Sequence, residues 1–245
     1  MRQTPPQPGW SDMGTEIRQT ARTLLAENGT EGVTLRAIAR DLGITAPALY
    51  RYYRSHSDLM EHLRRDICTE LAGELAERIA EAGDAAGIGQ FFAALRGFRR
   101  WALEHPREFT LVFASRRADT AAAATPLDHA TEPFGQVFIT SVWHVLAHHE
   151  LTIPADEYVP EQLREDVGAF RAALLELLSS ATDQEVDESR LTLGLSYLMV
   201  QFWTRIFGHV ALEVSGNIPM PTADPDAWFD AMLTDIARTV GLDNA

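Results

Sequence analysis

The stretch TLRAIARDLGITAPALYRYYRSHSDL, residues 34–59, decides how the chain folds. Thr34 can cap a short helix whose apolar stripe is Leu35, Ile38, Ala39 and Leu42. Gly43 then supplies the left-handed backbone that a tight stop requires. Thr45 can cap a second short helix, with Pro47 in its first turn, where a missing N–H does no harm. Leu49 and Tyr53 fall on that helix's inner side. Ser55-His56-Ser57-Asp58 has the form of a capping box and opens a long helix reaching to about Ala82. Two short helices joined across Leu42-Gly43-Ile44 follow the grammar of a helix-turn-helix. Ala39 is small enough for the helices to approach, and Ile44 and Leu49 anchor the second one. Its outer face is thereby left to enter a major groove.

The same grammar extends outward. Residues 16–27 place Ile17, Ala21, Leu24 and Leu25 on one face and stop at Asn28-Gly29. Residues 1–14 carry one arginine, three prolines and no apolar run, which reads as a disordered arm and not as a signal peptide. Gly83-Asp84-Ala85-Ala86-Gly87 reads as a hinge. Beyond it, helical periodicity predicts segments at 88–104, 106–118, 132–150, 160–181, 188–213 and 225–240, punctuated by prolines, with an Ala/Thr-rich loop at 119–131. No alternating strand pattern and no internal repeat occurs, so the fold class is all-α. The expected organisation is an arm (1–14), a helix-turn-helix domain (15–62), and a helical ligand-binding and dimerisation domain (63–245) joined by the long fourth helix.

Composition bounds the function. With 245 residues, 46% hydrophobic and 23% charged, the chain has the make-up of a globular protein with a sizeable core. No apolar run approaches a membrane span, so no membrane partner is expected. Cys68 is the single cysteine, which excludes an intramolecular disulfide and suits a cytoplasmic protein. The net charge of -14 argues against DNA until its distribution is read. Residues 1–56 hold seven arginines against five acids, a net of +2, which leaves -16 on the remainder. Screening cuts repulsion at about 8 Å in physiological salt, so a mildly basic reading head can work ahead of an acidic body.

From its first helix through Leu49-Tyr50-Arg51-Tyr52-Tyr53 to Asp58-Leu59, the segment 15–62 resembles the N-terminal domain of the tetracycline-repressor-type (TetR) family. The resemblance implies a homodimer whose two heads read adjacent major grooves of a palindromic operator in double-stranded DNA. Carried over by position, it implies that Thr34 and Arg36 contact phosphate, and that Thr45, Ala46 and Pro47 open the recognition helix. Tyr50, Arg51 and Tyr52 would lie along its outer face, with Arg54 and His56 at the junction with the fourth helix. The lysine that the family commonly carries near positions 46 or 56 is absent, which alters the expected number of phosphate contacts. Arg51 is the candidate base reader, since a guanidinium pairs with guanine O6 and N7 in bidentate fashion. Tyr50 and Tyr52 can donate to phosphate.

The remainder carries aromatics at helical spacing. Most must be core, and Phe98, Trp101, Phe113, Phe138, Trp143 and Trp203 are the candidates to line an apolar effector pocket. Residues 95–106 resemble the helix that opens the effector domain in one TetR subgroup. Trp203-Thr204-Arg205-Ile206-Phe207-Gly208 resembles that subgroup's Trp-x-x-x-His-Gly signature, with Phe207 in the histidine's place. Dimerisation is expected through segments 160–181 and 188–213, on Phe170, Leu174, Leu175, Leu177 and Leu178, then Leu191, Leu195, Leu198, Met199 and Phe202. His144 and His148 share a helix face, but no further ligand accompanies them, so neither a metal nor a cofactor is expected. Cys68 reads as a buried structural thiol, although Arg64 and Arg65 lie one turn away. There is no nucleophile elbow and no phosphate-cradling glycine loop, so the chain does not read as an enzyme. The expected function is a DNA-binding transcription regulator: a repressor released from its operator when a small apolar or aromatic effector moves the fourth helix as a lever. The alternatives are a DNA-organising protein without a ligand and an all-helical enzyme.

Overall fold

The computed structural model describes residues 10–83, 88–114, 132–181 and 187–242, and among them every regular element is helical. Residues 1–9 of the expected arm, residues 84–87 of the expected hinge, and the 119–131 loop lie outside the described residues. Ten α-helices are described: α1 Trp10–Asn28, α2 Leu35–Asp41, α3 Ala46–Leu49, α4 His56–Glu81, α5 Ile88–Glu104, α6 Pro106–Phe109, α7 Pro133–His148, α8 Arg164–Ala181, α9 Leu193–Val214 and α10 Pro225–Thr239.

Two compact units result. The first comprises residues 1–68 and 105–122, and the second comprises residues 69–104 and 123–245. Helix α4 contributes its first half to one and its second half to the other. The buried side chains Leu59, Leu63, Ile67, Leu71 and Leu75 recur every fourth residue along it, a continuous apolar seam. Each such side chain contributes about 2 kcal/mol of burial free energy.

In the first unit, Ile17, Ala21 and Leu25 of α1, Ile38 of α2, Leu49 of α3 and the start of the α4 seam are all buried, with α2 packed against both α1 and α3. Gly43 has φ 65°, and the turn after α2 closes with Gly43 N–H donating to Arg40 O (3.1 Å) and Ile44 N–H to Ala39 O (2.9 Å). That is the double hydrogen bond of a left-handed helix stop. Ser55 Oγ accepts from Asp58 N–H (3.0 Å), while the Asp58 carboxylate accepts from Arg54 N–H (2.7 Å), which is the expected reciprocal cap shifted by one residue. Helix α1 begins at Trp10, inside the stretch read from sequence as an arm. Tyr53 holds this end: its hydroxyl donates to Gly14 O (3.0 Å) and accepts from Arg18 (2.8 Å).

The first unit also takes in a segment remote in sequence. Helix α6 and the π turn Thr110–Ala114 that follows it bury Phe109, Leu111 and Val112. The helix expected over 106–118 thus changes to π pitch after Phe109, and its residues 115–118 lie outside the described residues. The buried Glu108 carboxylate accepts from Arg22 through both oxygens (2.7 and 3.0 Å), and Arg107 donates to Ala26 O (2.7 Å).

In the second unit, α5, α7, α8 and α9 surround an apolar core, and α10 packs Phe229, Leu233 and Ile236 inward. Gly97 of α5 lies so near α4 that an added Cβ would stand 2.7 Å from Arg78 and 3.0 Å from Leu75. Helix α10 is tied to α5 by Arg96–Asp230 (2.7 Å) and Arg99–Asp226 (2.6 Å), and to α9 by Arg205–Asp235 (2.7 Å). No described helix is long and apolar enough to cross a membrane.

Candidate DNA-binding face and effector cavity

The expected recognition helix is short. Regular helix covers Ala46–Leu49 only, Tyr50 is its C-cap, and the chain continues as a turn with Tyr52 N–H and Tyr53 N–H both donating to Leu49 O (2.9 and 3.0 Å). Thr45 occupies the N-cap, yet its hydroxyl accepts no capping bond and stays exposed. Thr34 is the N-cap of α2, and its Oγ accepts from Ala37 N–H (3.1 Å), which leaves the hydroxyl proton available to a phosphate. Leu49 is buried and fixes the inner side of α3, whereas Pro47, Tyr50 and Arg51 are exposed on the outside, Tyr50 to 59%. Ala46 and Tyr52 are half-buried. Arg36, Arg54 and His56 are exposed, and His56 Nε2 lies 2.6 Å from Val33 O, which pins the start of α4 to the residue before the α2 cap.

Ion pairing sorts the arginines of this unit. Arg18 pairs with Asp66, Arg22 with Glu108, Arg40 with Asp41, and Arg64 with Glu61. Burial works against the charge of Arg18, but its hydrogen bonds to Asp66 and Tyr53 outweigh that and hold its pKa above the ordinary value. Burial likewise pushes the Tyr53 hydroxyl up, against the pull of Arg18. Arg36, Arg51 and Arg54 are different: all three are exposed, and none has a carboxylate partner among the described residues. Charges already neutralised by a carboxylate attract phosphate little, so these three carry the positive field available around the helix-turn-helix. Sequence counting could not separate the two groups, because the partners Asp66 and Glu108 lie far along the chain.

The second unit holds a cavity of about 200 Å³ whose lining is almost wholly hydrocarbon. Phe138 and Trp203, two of the six aromatics expected to line a pocket, lie on its wall. Phe98 stands behind them, fully buried, with its ring 6.0 Å from Phe138 and 5.8 Å from Trp203. Trp101 is buried away from the lining, and Phe113 belongs to the first unit, 5.1 Å from Phe109. Trp143 joins a cluster with Ile139, Leu146, Leu174, Leu178, Leu191 and Leu195, where its indole N–H lacks an acceptor. The walls that sequence reasoning missed are Phe91, Phe92 and Leu95 of α5, Phe134 and Val142 of α7, and Ile236, Ala237 and Val240 on and just after α10. They are hydrophobic like the rest of the core, and periodicity does not distinguish a side chain facing a void from one facing a neighbour.

The second unit also holds a polar knot. Arg99, 9% exposed, donates to both Glu213 oxygens (2.7 and 2.6 Å) and to Asp226, and its guanidinium lies 5.2 Å from the Phe229 ring centroid. The hydrogen bonds it donates to Glu213 are the main reason its pKa is raised. His209 lies 3.7 Å from Glu213, edge-on to Phe229, and burial pushes its pKa below the ordinary imidazole value, with Arg99 adding to the shift and Glu213 opposing it.

Several expected features have plain placements. Leu174, Leu178, Leu191, Leu195 and Leu198 are buried within the chain itself, while Leu175 and Leu177 of α8 remain half-buried and Leu212 of α9 is exposed. The His144 and His148 rings stack 5.5 Å apart on the surface, and no group of three or more possible metal ligands occurs among the described residues. Cys68 is fully buried, with its Sγ 3.8 Å from Arg64.

Residues 17–63 match the family described as bacterial regulatory proteins, tetR family, and residues 91–236 match the tetracyclin repressor-like C-terminal domain. The HTH-type transcriptional regulator Rv1816 of Mycobacterium tuberculosis is 26% identical over 221 residues, covering 88% of this chain and 87% of that protein. The HTH-type transcriptional repressor KstR2 of Rhodococcus jostii is 33% identical over 77 residues, covering 31% of this chain and 38% of its own length. Among solved structures, the regulatory protein SCO4313 superposes with a TM-score of 0.59 at 23% identity, covering 95% of this chain and 98% of that one. A Rhodococcus sp. RHA1 protein of unknown function gives 0.58 at 17%, covering 97% and 99%. The helix-turn-helix geometry and the two family matches agree, and the chain belongs to the tetR family of DNA-binding transcriptional regulators.

Proposed function

We propose that this regulator is a repressor that binds a palindromic operator as a homodimer and leaves it when an apolar small molecule occupies the second unit. The observation that carries the DNA-binding part is the trio of unpaired arginines. Arg36, Arg51 and Arg54 are exposed around α3, while Arg18, Arg22 and Arg64 of that unit are committed to carboxylates. On this reading Arg51 reads a base edge, Thr34, Arg36, Arg54 and His56 contact backbone, and Thr45, Ala46, Pro47, Tyr50 and Tyr52 form the surface that enters the groove. On this reading residues 15–62 form the head and 63–245 the effector and dimerisation part, except that residues 105–114 return to complete the head.

The apolar cavity supports an effector of matching chemistry, and the repressor name of the Rhodococcus relative supports the sign of regulation. Two-fold symmetry of the operator would mirror a dimer formed through α8 and α9, where Leu175, Leu177 and Leu212 keep apolar surface accessible. The deciding experiment is selection of bound fragments from the source genome with purified protein. An inverted repeat, with two protomers per fragment by light scattering, is the expected result. A single non-repeated half-site with one protomer would overturn the dimer reading, and indifference to sequence would overturn operator recognition.

A further inference from the structure

The cavity's shape and rim narrow the effector's chemistry, and the following rests on the reading that the cavity is the effector site. Helix α7 lines it from Phe134 to Val145 and helix α9 from Leu195 to Ile206, eleven residues of advance on each. That corresponds to roughly 16 Å along the helix axes. Only about 200 Å³ is spread over this length. An engineered pocket of about 150 Å³ holds a single benzene ring. A similar volume drawn out so far is a channel one chain wide, suited to a slender occupant and not to a fused-ring skeleton.

The interior offers no charged group and no side-chain acceptor, because the lining side chains are aliphatic, aromatic or methionine, with the Trp203 indole N–H the one donor among them. A polar group placed among them would lose its water with little recompense. Any polar end of the occupant must therefore sit at the rim. Among the lining residues, Phe92 is the one with a described cation against it: the Arg96 guanidinium stands 5.7 Å from the centroid of that ring. Arg96 is half-exposed and its partner Asp230, on α10, is equally so. A guanidinium held by one exposed carboxylate can exchange it for another, since such surface pairs are worth little. Its flat fork matches a carboxylate in bidentate fashion.

We propose that the effector is a medium-length, unbranched carboxylic acid. Its alkyl chain lies in the channel between α7 and α9, and its carboxylate takes the place of Asp230 on Arg96. The exchange would release one of the three ion pairs that fasten α10 to α5 and α9, while the residues of α10 that line the cavity meet the chain instead.

The test is calorimetric titration of the full-length protein with hexanoate, octanoate, decanoate and dodecanoate, with decan-1-ol as the uncharged control, all below their aggregation limits. Decanoate is expected to bind more tightly than decanol, and affinity is expected to rise along the series until the channel is full. Arg96→Gln should weaken decanoate about tenfold and leave decanol unchanged. Arg205→Gln, which breaks the other exposed α10 pair, should leave both unchanged, and the thermal midpoints of the two variants report whether they stay folded. Val142→Phe, placed in the wall, should abolish binding of acid and alcohol alike. Binding of no chain, or equal binding of acid and alcohol with no effect of Arg96→Gln, would overturn the proposal. Operator affinity measured alongside separates the two readings. Acid binding without loss of DNA affinity supports the carboxylate site and sinks the effector role, whereas DNA binding with no acid bound overturns this proposal and leaves operator recognition standing.

Discussion

At the residue scale, the outcomes depend on whether a charge has a partner. Arg51 has none, so nothing in the free protein restrains it from a base edge. Arg51→Ala is expected to weaken binding to the cognate operator by about 1–3 kcal/mol and to relax preference at one base pair. Fluorescence anisotropy with single-base operator variants checks this, and an equal loss on every sequence would make Arg51 a phosphate contact. His209 is the opposite case, a partly buried imidazole that resists protonation. The unfolded chain binds its proton near the usual value of about 6.5, whereas the folded chain does so only at lower pH. Between those two values the unfolded state holds more protons, so this residue's contribution makes stability rise with pH and fall on acidification. His209→Phe should flatten that part of the profile relative to the native protein when thermal midpoints are compared between pH 5 and 7. An unchanged difference across that range would show that His209 titrates normally.

At the element scale, the turn and the helix caps are what the sequence made legible. Gly43, the Thr34 cap and the Ser55–Asp58 cap act through neighbours a few residues away, and all were readable for that reason. Gly43→Val would force a β-branched side chain to φ 65°, and a cost of about 1–2 kcal/mol with a matching loss of operator affinity is expected in denaturant titration and anisotropy. Leu63→Ala opens a void in the α4 seam and should cost about 2–5 kcal/mol. The recognition element was overestimated in length: a sequence pattern extends over 45–52, but regular helix stops at Leu49, since the backbone tightens around Leu49 O. Likewise the segments expected at 160–181 and 188–213 each open with a single 3₁₀ turn before the helix proper begins at Arg164 and Leu193. Periodicity reports which face is apolar, and it says little about where the backbone changes pitch.

At the scale of the whole molecule, the -14 net charge coexists with a DNA-binding role because the unpaired arginines are gathered on one short stretch. Few phosphate contacts then imply a gentle salt slope. Each phosphate contact steepens the dependence of log affinity on log salt by about 0.9. Arg36→Ala is expected to reduce the slope by about one contact per head, with little change in sequence preference, when affinity is titrated against sodium chloride. The all-helical class and the order of helices were open to sequence reading because amphipathic stripes and proline stops recur throughout. The cavity walls and the ion pairs were not, since both depend on which distant residues meet: Arg22 with Glu108, Arg99 with Glu213, Phe92 with Arg96.

The pairing of Arg22 with Glu108 bears on how this regulator can be dissected. A fragment cut after Cys68 would keep every residue proposed to face DNA, yet it would strand a cation on α1 and bare the surface that Phe109, Leu111 and Val112 normally cover. Such a piece should be soluble only with difficulty and melt at a lower temperature than one in which residues 105–114 are spliced back through a short linker. The smallest self-sufficient reading head is therefore discontinuous in the gene, and swapping heads between relatives would have to carry both pieces.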